Sequence, residues 1–214
     1  MKELSNADKF QIEAAEGWLM LGNPVEANEE LEKISPENRR HPAALSVRWQ
    51  VYATAEWWEA AWIVSKVLCE VLPDSPEAWI CQANTVRKYK GTHEALELLE
   101  GVERKFGGHP VVLYNLACYA AQVGRFEEAG RWLTDAFRAE DGIALKVAAV
   151  YDPDLRPLWE KVGDARLFEL HADIHDAKGD FHCRSRQNDW RAALRDLSRS
   201  ICLGLHQQCL QRPV

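Results

Sequence analysis

The sequence predicts an all-α protein, a solenoid of stacked antiparallel helix pairs. Three observations predict it. A residue pattern recurs every 34 positions, proline and cap residues punctuate that pattern at helix starts, and the composition suits close-packed helices. Ala27, Ala61, Ala95 and Ala129 stand 34 residues apart, and Pro42, Pro76 and Pro110 share the grid. Four alanines in register arise by chance about once in several thousand trials, so an internal repeat is the simplest reading. The 214 residues include 27 Ala and nine Trp against nine Pro and twelve Gly. Hydrophobic residues make up 47 % and charged residues 28 %, the balance of a globular chain rather than a disordered one.

The grid defines four repeats, 8–41, 42–75, 76–109 and 110–143. Pro42, Pro76 and Pro110 open first helices, where a missing N–H costs nothing. Ser75 and Asn23 precede prolines and can cap the following helix with their side-chain oxygens. In the third repeat Trp79, Ala83 and Val86 recur at helical spacing. Gly91 then breaks the chain, Thr92 is expected to cap the next helix, and Ala95, Leu98, Leu99 and Val102 form its apolar face. In the fourth repeat Leu113, Leu116, Ala117 and Ala120 lead to Gly124–Arg125, followed by Phe126, Ala129, Trp132, Leu133 and Ala136. The recurring Ala has a steric reason: two antiparallel helices approach closely only where one side chain is small. Each hairpin leaves an apolar face that its neighbour must cover, so stability belongs to the array.

Residues 144–165 read as a closing element. The run from Ile143 to Val150 is a helix, Asp152-Pro153-Asp154 a turn, and Leu155, Leu158 and Trp159 mark a short amphipathic helix ending at Gly163. The array with this cap therefore spans 1–165. Residues 166–214 differ: net charge is −9 through residue 165 and +2 beyond it, for −7 in all. This tail is expected to be helical, a degenerate repeat with Asp189 before an amphipathic run of Trp190, Ala193, Leu194, Leu197 and Ile201. It is a candidate for docking on the array or for self-association.

The 34-residue period, together with Trp79, Ala83, Ala95, Leu99 and the stretch from Tyr114-Asn115-Leu116-Ala117 to Gly124-Arg125-Phe126-Glu127-Glu128-Ala129, resembles the tetratricopeptide repeat (TPR) family. Pro73 falls on that family's proline at the end of the second helix. The resemblance covers roughly 8–143. It implies a right-handed superhelix in which first helices line a concave groove and second helices form the convex back. It also implies a protein- or peptide-binding adaptor without catalytic activity. In the second repeat Trp49 stands where Ala15, Ala83 and Ala117 stand in the others, and Ser65 stands where Leu31, Leu99 and Leu133 stand. A large-for-small exchange beside a small-for-large one conserves volume. Trp49 is therefore expected to fill the space Ser65 vacates.

In the implied register, Ile80, Asn84, Arg87 and Lys88 face the groove from the third repeat. Tyr114, Asn115, Cys118, Gln122 and the turn residue Arg125 do so from the fourth. Asn84 and Asn115 resemble the paired asparagines of dicarboxylate-clamp chaperone adaptors, but Ile80, Leu145 and Ala149 stand where the clamp needs bases. Asn amides can bond an extended backbone, and Arg87, Lys88 and Arg125 would attract acidic side chains. Trp49, Trp57, Trp58 and Trp62 form either a ligand platform or ordinary core, with Trp57 at the turn and the most exposed.

Other function classes find little support. The net charge of −7 argues against a nucleic-acid binder. No run of apolar residues is long enough for a membrane span, and the start lacks a signal-peptide core, so a cytoplasmic chain with no membrane partner is expected. No G-x-G-x-x-G, Walker A, H-E-x-x-H or G-x-S-x-G sequence occurs. Acid pairs such as Glu29–Glu30 and Glu127–Glu128 fall on solvated second-helix faces, so no enzyme and no cofactor is expected. Of the six Cys, Cys69, Cys81 and Cys118 lie in apolar helical patterns and read as reduced packing residues. The alternative is a metal-binding protein or metal-dependent enzyme. It rests on the tail, where His171 and His175 share a helical face and His182, Cys183, Cys202, His206 and Cys209 follow.

Overall fold

The computed structural model describes residues 3–106, 108–138 and 142–162. The described residues are helical, without strands, in ten α-helices: α1 (Asn6–Met20), α2 (Pro24–Glu32), α3 (Pro42–Thr54), α4 (Trp58–Val71), α5 (Pro76–Tyr89), α6 (Thr92–Glu103), α7 (Pro110–Gln122), α8 (Phe126–Ala136), α9 (Gly142–Tyr151) and α10 (Arg156–Val162). Helices α1 to α8 follow one another in pairs, and α9 and α10 come after them. The residues from 163 onward, with their His and Cys, lie outside the described part. The chain divides into two compact units, and the boundary falls between Lys90 and Gly91, inside the third repeat.

Cap chemistry places the helix starts. Asn23 accepts the backbone N–H of Glu26, and Ser75 accepts that of Ala78, each with a proline at the start of the helix. His41 caps α3 through Nδ1, which accepts the N–H of Ala43 at 3.2 Å. At α6 the sequence reading needs correction. Gly91, not Thr92, occupies the cap position, without a side-chain hydrogen bond, and Thr92 is the first helical residue.

The turns inside the hairpins share one device. Asn23, Trp57 and Arg125 each donate a backbone N–H to the carbonyl five residues earlier. Closing the helix this way needs a left-handed residue just before. Gly22 (φ 75°) and Gly124 (φ 82°) supply it, whereas Glu56 (φ 57°) occupies that position in the second repeat. In the third repeat the equivalent residue, Lys90, keeps φ −117°, and the positive φ passes to Gly91 at 151°. A Cβ there would come within 2.6 Å of a Glu94 carboxylate oxygen.

In the first unit, α1 packs on α2 and α3, and α4 packs on α3 and α5. Ile12, Ala15, Ala27, Leu31, Ala43 and Val47 form one core, and Trp49, Ala61, Val64, Leu68, Ala78 and Cys81 form the next. In the second unit, α7 packs on α6 and α8, and α10 touches both α7 and α8. Ala27, Ala61, Ala95 and Ala129 have no exposed surface, as their small size at a close approach requires.

Trp49 and Ser65 are both buried, at 7 % and 0 % exposure. The indole finds a polar partner the sequence reading did not include: Nε1 donates to Oγ1 of Thr85 in α5 at 2.7 Å. That hydroxyl in turn donates to the Cys81 carbonyl at 2.8 Å. Ser65 turns its hydroxyl back to the Trp62 carbonyl at 3.0 Å, so its polar atom is satisfied within α4.

Candidate functional site

The residues expected to face a partner divide sharply by environment. On α5, Ile80 is buried at 1 % exposure and belongs to the core rather than to an open surface. Asn84 and Arg87 are half-buried, and Lys88 is exposed. They follow one another along the second half of α5, so the helix itself presents an amide and two cations side by side.

On α7 most of the expected contacts are already made inside the protein. Tyr114 and Cys118 are buried. The Tyr114 hydroxyl donates to Oδ2 of Asp152 at 2.8 Å, and the Cys118 thiol stands 3.6 Å from the same oxygen. Gln122 donates from Nε2 to the Asp154 carbonyl at 2.8 Å. The turn between α9 and α10 thus lies against the face of α7 that the repeat register assigned to a ligand. Trp159 fastens that turn by donating from Nε1 to the Ala149 carbonyl at 2.9 Å. Burial pushes the Asp152 carboxyl above the ordinary carboxylate range, and the hydrogen bonds it accepts offset this only partly. Burial likewise pushes the Tyr114 phenol up, with Cys118 and Asp152 adding to the effect.

Asn115 is half-buried and spends its amide on its own helix, donating to the Val111 carbonyl at 2.8 Å. Arg125 is engaged twice. Its guanidinium bonds Glu128 one turn on in α8, and it bonds Glu100 of α6 at 2.6 Å. These two carboxylates hold the Arg125 proton well above its usual affinity. Arg125 therefore ties α6 to the start of α8 rather than standing ready for a partner.

The aromatic residues also separate. Trp49 is core. Trp57, at the α3–α4 turn, is 43 % exposed and lies against Tyr52 with ring centroids 5.8 Å apart. Trp58 is half-buried. Trp62 is half-buried too, and its ring meets Tyr89 at 5.5 Å. Lys66 and Lys90 place their ammonium groups 3.8 Å and 4.5 Å from the Trp62 ring centroid. The sequence reading missed this grouping. Its signals were Trp62 and Lys66 four apart on one helix, and the basic-aromatic run Lys88-Tyr89-Lys90. What it lacked was the pairing of the α4 start with the α5 end.

In the second unit a cleft of about 1000 Å³ runs along α8 and α10, lined by Phe126, Gly130, Arg131, Arg138, Leu158 and Lys161 among others. Among the described residues no three His, Cys, Asp or Glu side chains converge to hold a metal ion. Among them, too, no helix is long and apolar enough to cross a membrane.

Comparison with solved structures settles the architecture. One neighbour is MamA 41-end from Desulfovibrio magneticus RS-1, with a TM-score of 0.60 and 16 % identity, over 83 % of this chain and 100 % of that one. A second is a MamA RS-1 ArsTM double mutant, with a TM-score of 0.55 and 15 % identity, over 96 % of this chain and 98 % of that one. The fold is of the tetratricopeptide type. At such identities the likeness is one of fold. No family model matches the sequence, and no curated protein matches it in sequence.

Proposed function

We propose that this TPR-type chain is a non-catalytic, cytoplasmic scaffold that binds a protein or peptide partner. The observation that supports it most is the run Asn84, Arg87 and Lys88 along α5, a polar and cationic helix face on a chain of net charge −7. An extended segment can bond the Asn84 amide through its backbone and set carboxylates against the two cations. The buried state of Tyr114 and Cys118 on α7, and of Ile80 in the first half of α5, moves the weight of the surface toward the second half of α5. Self-association through residues 166–214 belongs to the same reading.

The test is an Asn84→Ala, Lys88→Ala, Asn115→Ala triple variant, assayed against partners captured by the native chain and identified by mass spectrometry. Loss of capture by a variant with native helicity supports a surface that includes these residues, and the Asn84→Ala, Lys88→Ala double variant should lose capture as well if α5 carries it. Undiminished capture moves the site to the convex face, the Trp57 turn or the tail.

A further inference from the structure

The Trp62 cluster is a second surface with a chemistry of its own. Trp62 and Tyr89 form a tilted aromatic pair, 33° between planes, at the junction of the α4 start and the α5 end. Tyr89 is 41 % exposed, and Ile63, next to Trp62, is 52 % exposed. Lys66 reaches the Trp62 ring from one turn further along α4, and Lys90 reaches it from the cap of α5. Among the described residues neither ammonium forms an ion pair with a carboxylate, and Glu59, a turn before Trp62, pairs with neither.

The arrangement is informative because each lysine works against the other. A cation above an indole is favourable, by about 0.5–1 kcal/mol at an exposed site. Two cations bound to one ring lie no further apart than their two ring distances combined, within roughly one screening length of about 8 Å at physiological ionic strength. Their repulsion is relieved by an anion that bridges them. Each ammonium carries three donors, and the ring contact uses none of them in a directed hydrogen bond. The aromatic ring fixes where the charges stand. Beside these charges Tyr89 offers rigid aromatic surface of the kind that interfaces use, and the exposed Ile63 follows Trp62 in α4.

We propose that the Trp62–Lys66–Tyr89–Lys90 cluster is a docking surface for an acidic segment of a partner protein, in which carboxylates flank an aromatic or aliphatic side chain. The carboxylates bridge Lys66 and Lys90, and the apolar side chain lies on Tyr89 and Ile63. On a chain of net charge −7 the two ring-bound ammonium groups form a local cationic site, so charge complementarity sets register as well as attraction. A nucleic acid fits less well. Its affinity comes from many phosphate contacts along a basic track, and this patch offers a single pair of ring-bound cations. The proposal shares the scaffold reading but not its residues. Tyr89 is five positions from Asn84, about 140° around the helix at roughly 100° per residue.

The experiment uses the full chain and three fluorescent probes. One is a synthetic peptide repeating Glu-Asp-Phe, the second its Gln-Asn-Phe counterpart, and the third an oligothymidylate of the same length. Anisotropy gives affinities, and the Trp62 indole N–H resonance, assigned with Trp62→Phe, gives the site. The expected result is binding of the acidic peptide about tenfold tighter than the amide peptide, a shifted Trp62 resonance, and weakening by about tenfold or more in Lys66→Glu, Lys90→Glu. Lys33→Glu is the control and should bind as the native chain does. Equal affinity for the two peptides, an unchanged affinity in the double charge reversal, or oligothymidylate competing at Trp62 overturns the proposal. The Asn84→Ala, Lys88→Ala, Asn115→Ala variant separates the two readings. It should keep the acidic peptide, and its losing the peptide while the double reversal keeps it assigns the binding to α5 and overturns this proposal.

Discussion

Single residues in this protein show how a buried polar atom constrains its neighbours. Asp8 sits in α1 at 4 % exposure, and among the described residues it has no basic partner. Its carboxylate accepts four hydrogen bonds instead: from the Ser35 N–H and hydroxyl at 2.8 Å each, the Asn38 amide at 2.7 Å and the Ser5 hydroxyl at 2.8 Å. Burial pushes this carboxyl up, but the four donors outweigh it and hold it well below the usual range. The group is more acidic folded than unfolded. Its stabilisation is therefore present above the unfolded value of about 4 and is lost as pH falls below it. Urea denaturation between about pH 5 and pH 3 should show native stability falling more steeply than that of Asp8→Asn. Parallel loss in both proteins would mean that the acid sensitivity lies elsewhere. Thr85 makes a second case, because it is the acceptor for the Trp49 indole. Thr85→Val keeps the shape and leaves a buried N–H unpaired, which should cost about 1–3 kcal/mol. Adding Trp49→Phe should recover part of that loss, and the double-mutant cycle measures the coupling.

At the scale of the helix and its turns, equivalent positions across repeats let one repeat act as the control for another. Glu56 holds the left-handed turn conformation that Gly22 and Gly124 hold in the first and fourth hairpins. A side chain with a Cβ costs roughly 1–2 kcal/mol there, partly returned through the smaller entropy of its unfolded chain. Glu56→Gly should accordingly stabilise the protein by up to about 1 kcal/mol in chemical denaturation. Destabilisation would show that the Glu56 side chain contributes more than its backbone strain costs. Ala95 tests the register itself. It is fully buried in α6 beside Leu96 and Leu99. Ala95→Leu should overpack the site and cost roughly 1–3 kcal/mol. A change within about 0.5 kcal/mol, the range of a surface position, would put the 34-residue grid in doubt.

At the scale of the whole molecule, the proposed binding role depends on which surfaces the fold leaves open. The closing turn at Asp152–Asp154 covers part of α7, while α5 and the α4–α5 junction keep exposed cations. The metal reading concerns the whole chain with its tail, so it is tested on the whole chain. After chelator washing and zinc reloading, elemental analysis should find no stoichiometric zinc. One retained equivalent that disappears in His171→Ala, His175→Ala would replace the scaffold with a metal protein.

The sequence by itself determined the helix pairs, because their signals are local or periodic. Proline and cap residues act within one turn, and an Ala at every crossing is a steric need that repeats with the hairpin. It also marked Trp49 and Ser65 as an exchange within one repeat. Tertiary structure decided what the polar atoms do. Nothing near Trp49 in sequence announces Thr85 as its acceptor, 36 residues on, and nothing near Tyr114 announces Asp152. Repeat register says which side of a helix a residue takes, and so it put Ile80, Tyr114 and Cys118 on an expected surface. Whether that side meets solvent depends on what packs against it. The same limit hid the Trp62 cluster, since Trp62 with Lys66 and Tyr89 with Lys90 are adjacent pairs in the chain that become one site only when α4 and α5 lie side by side.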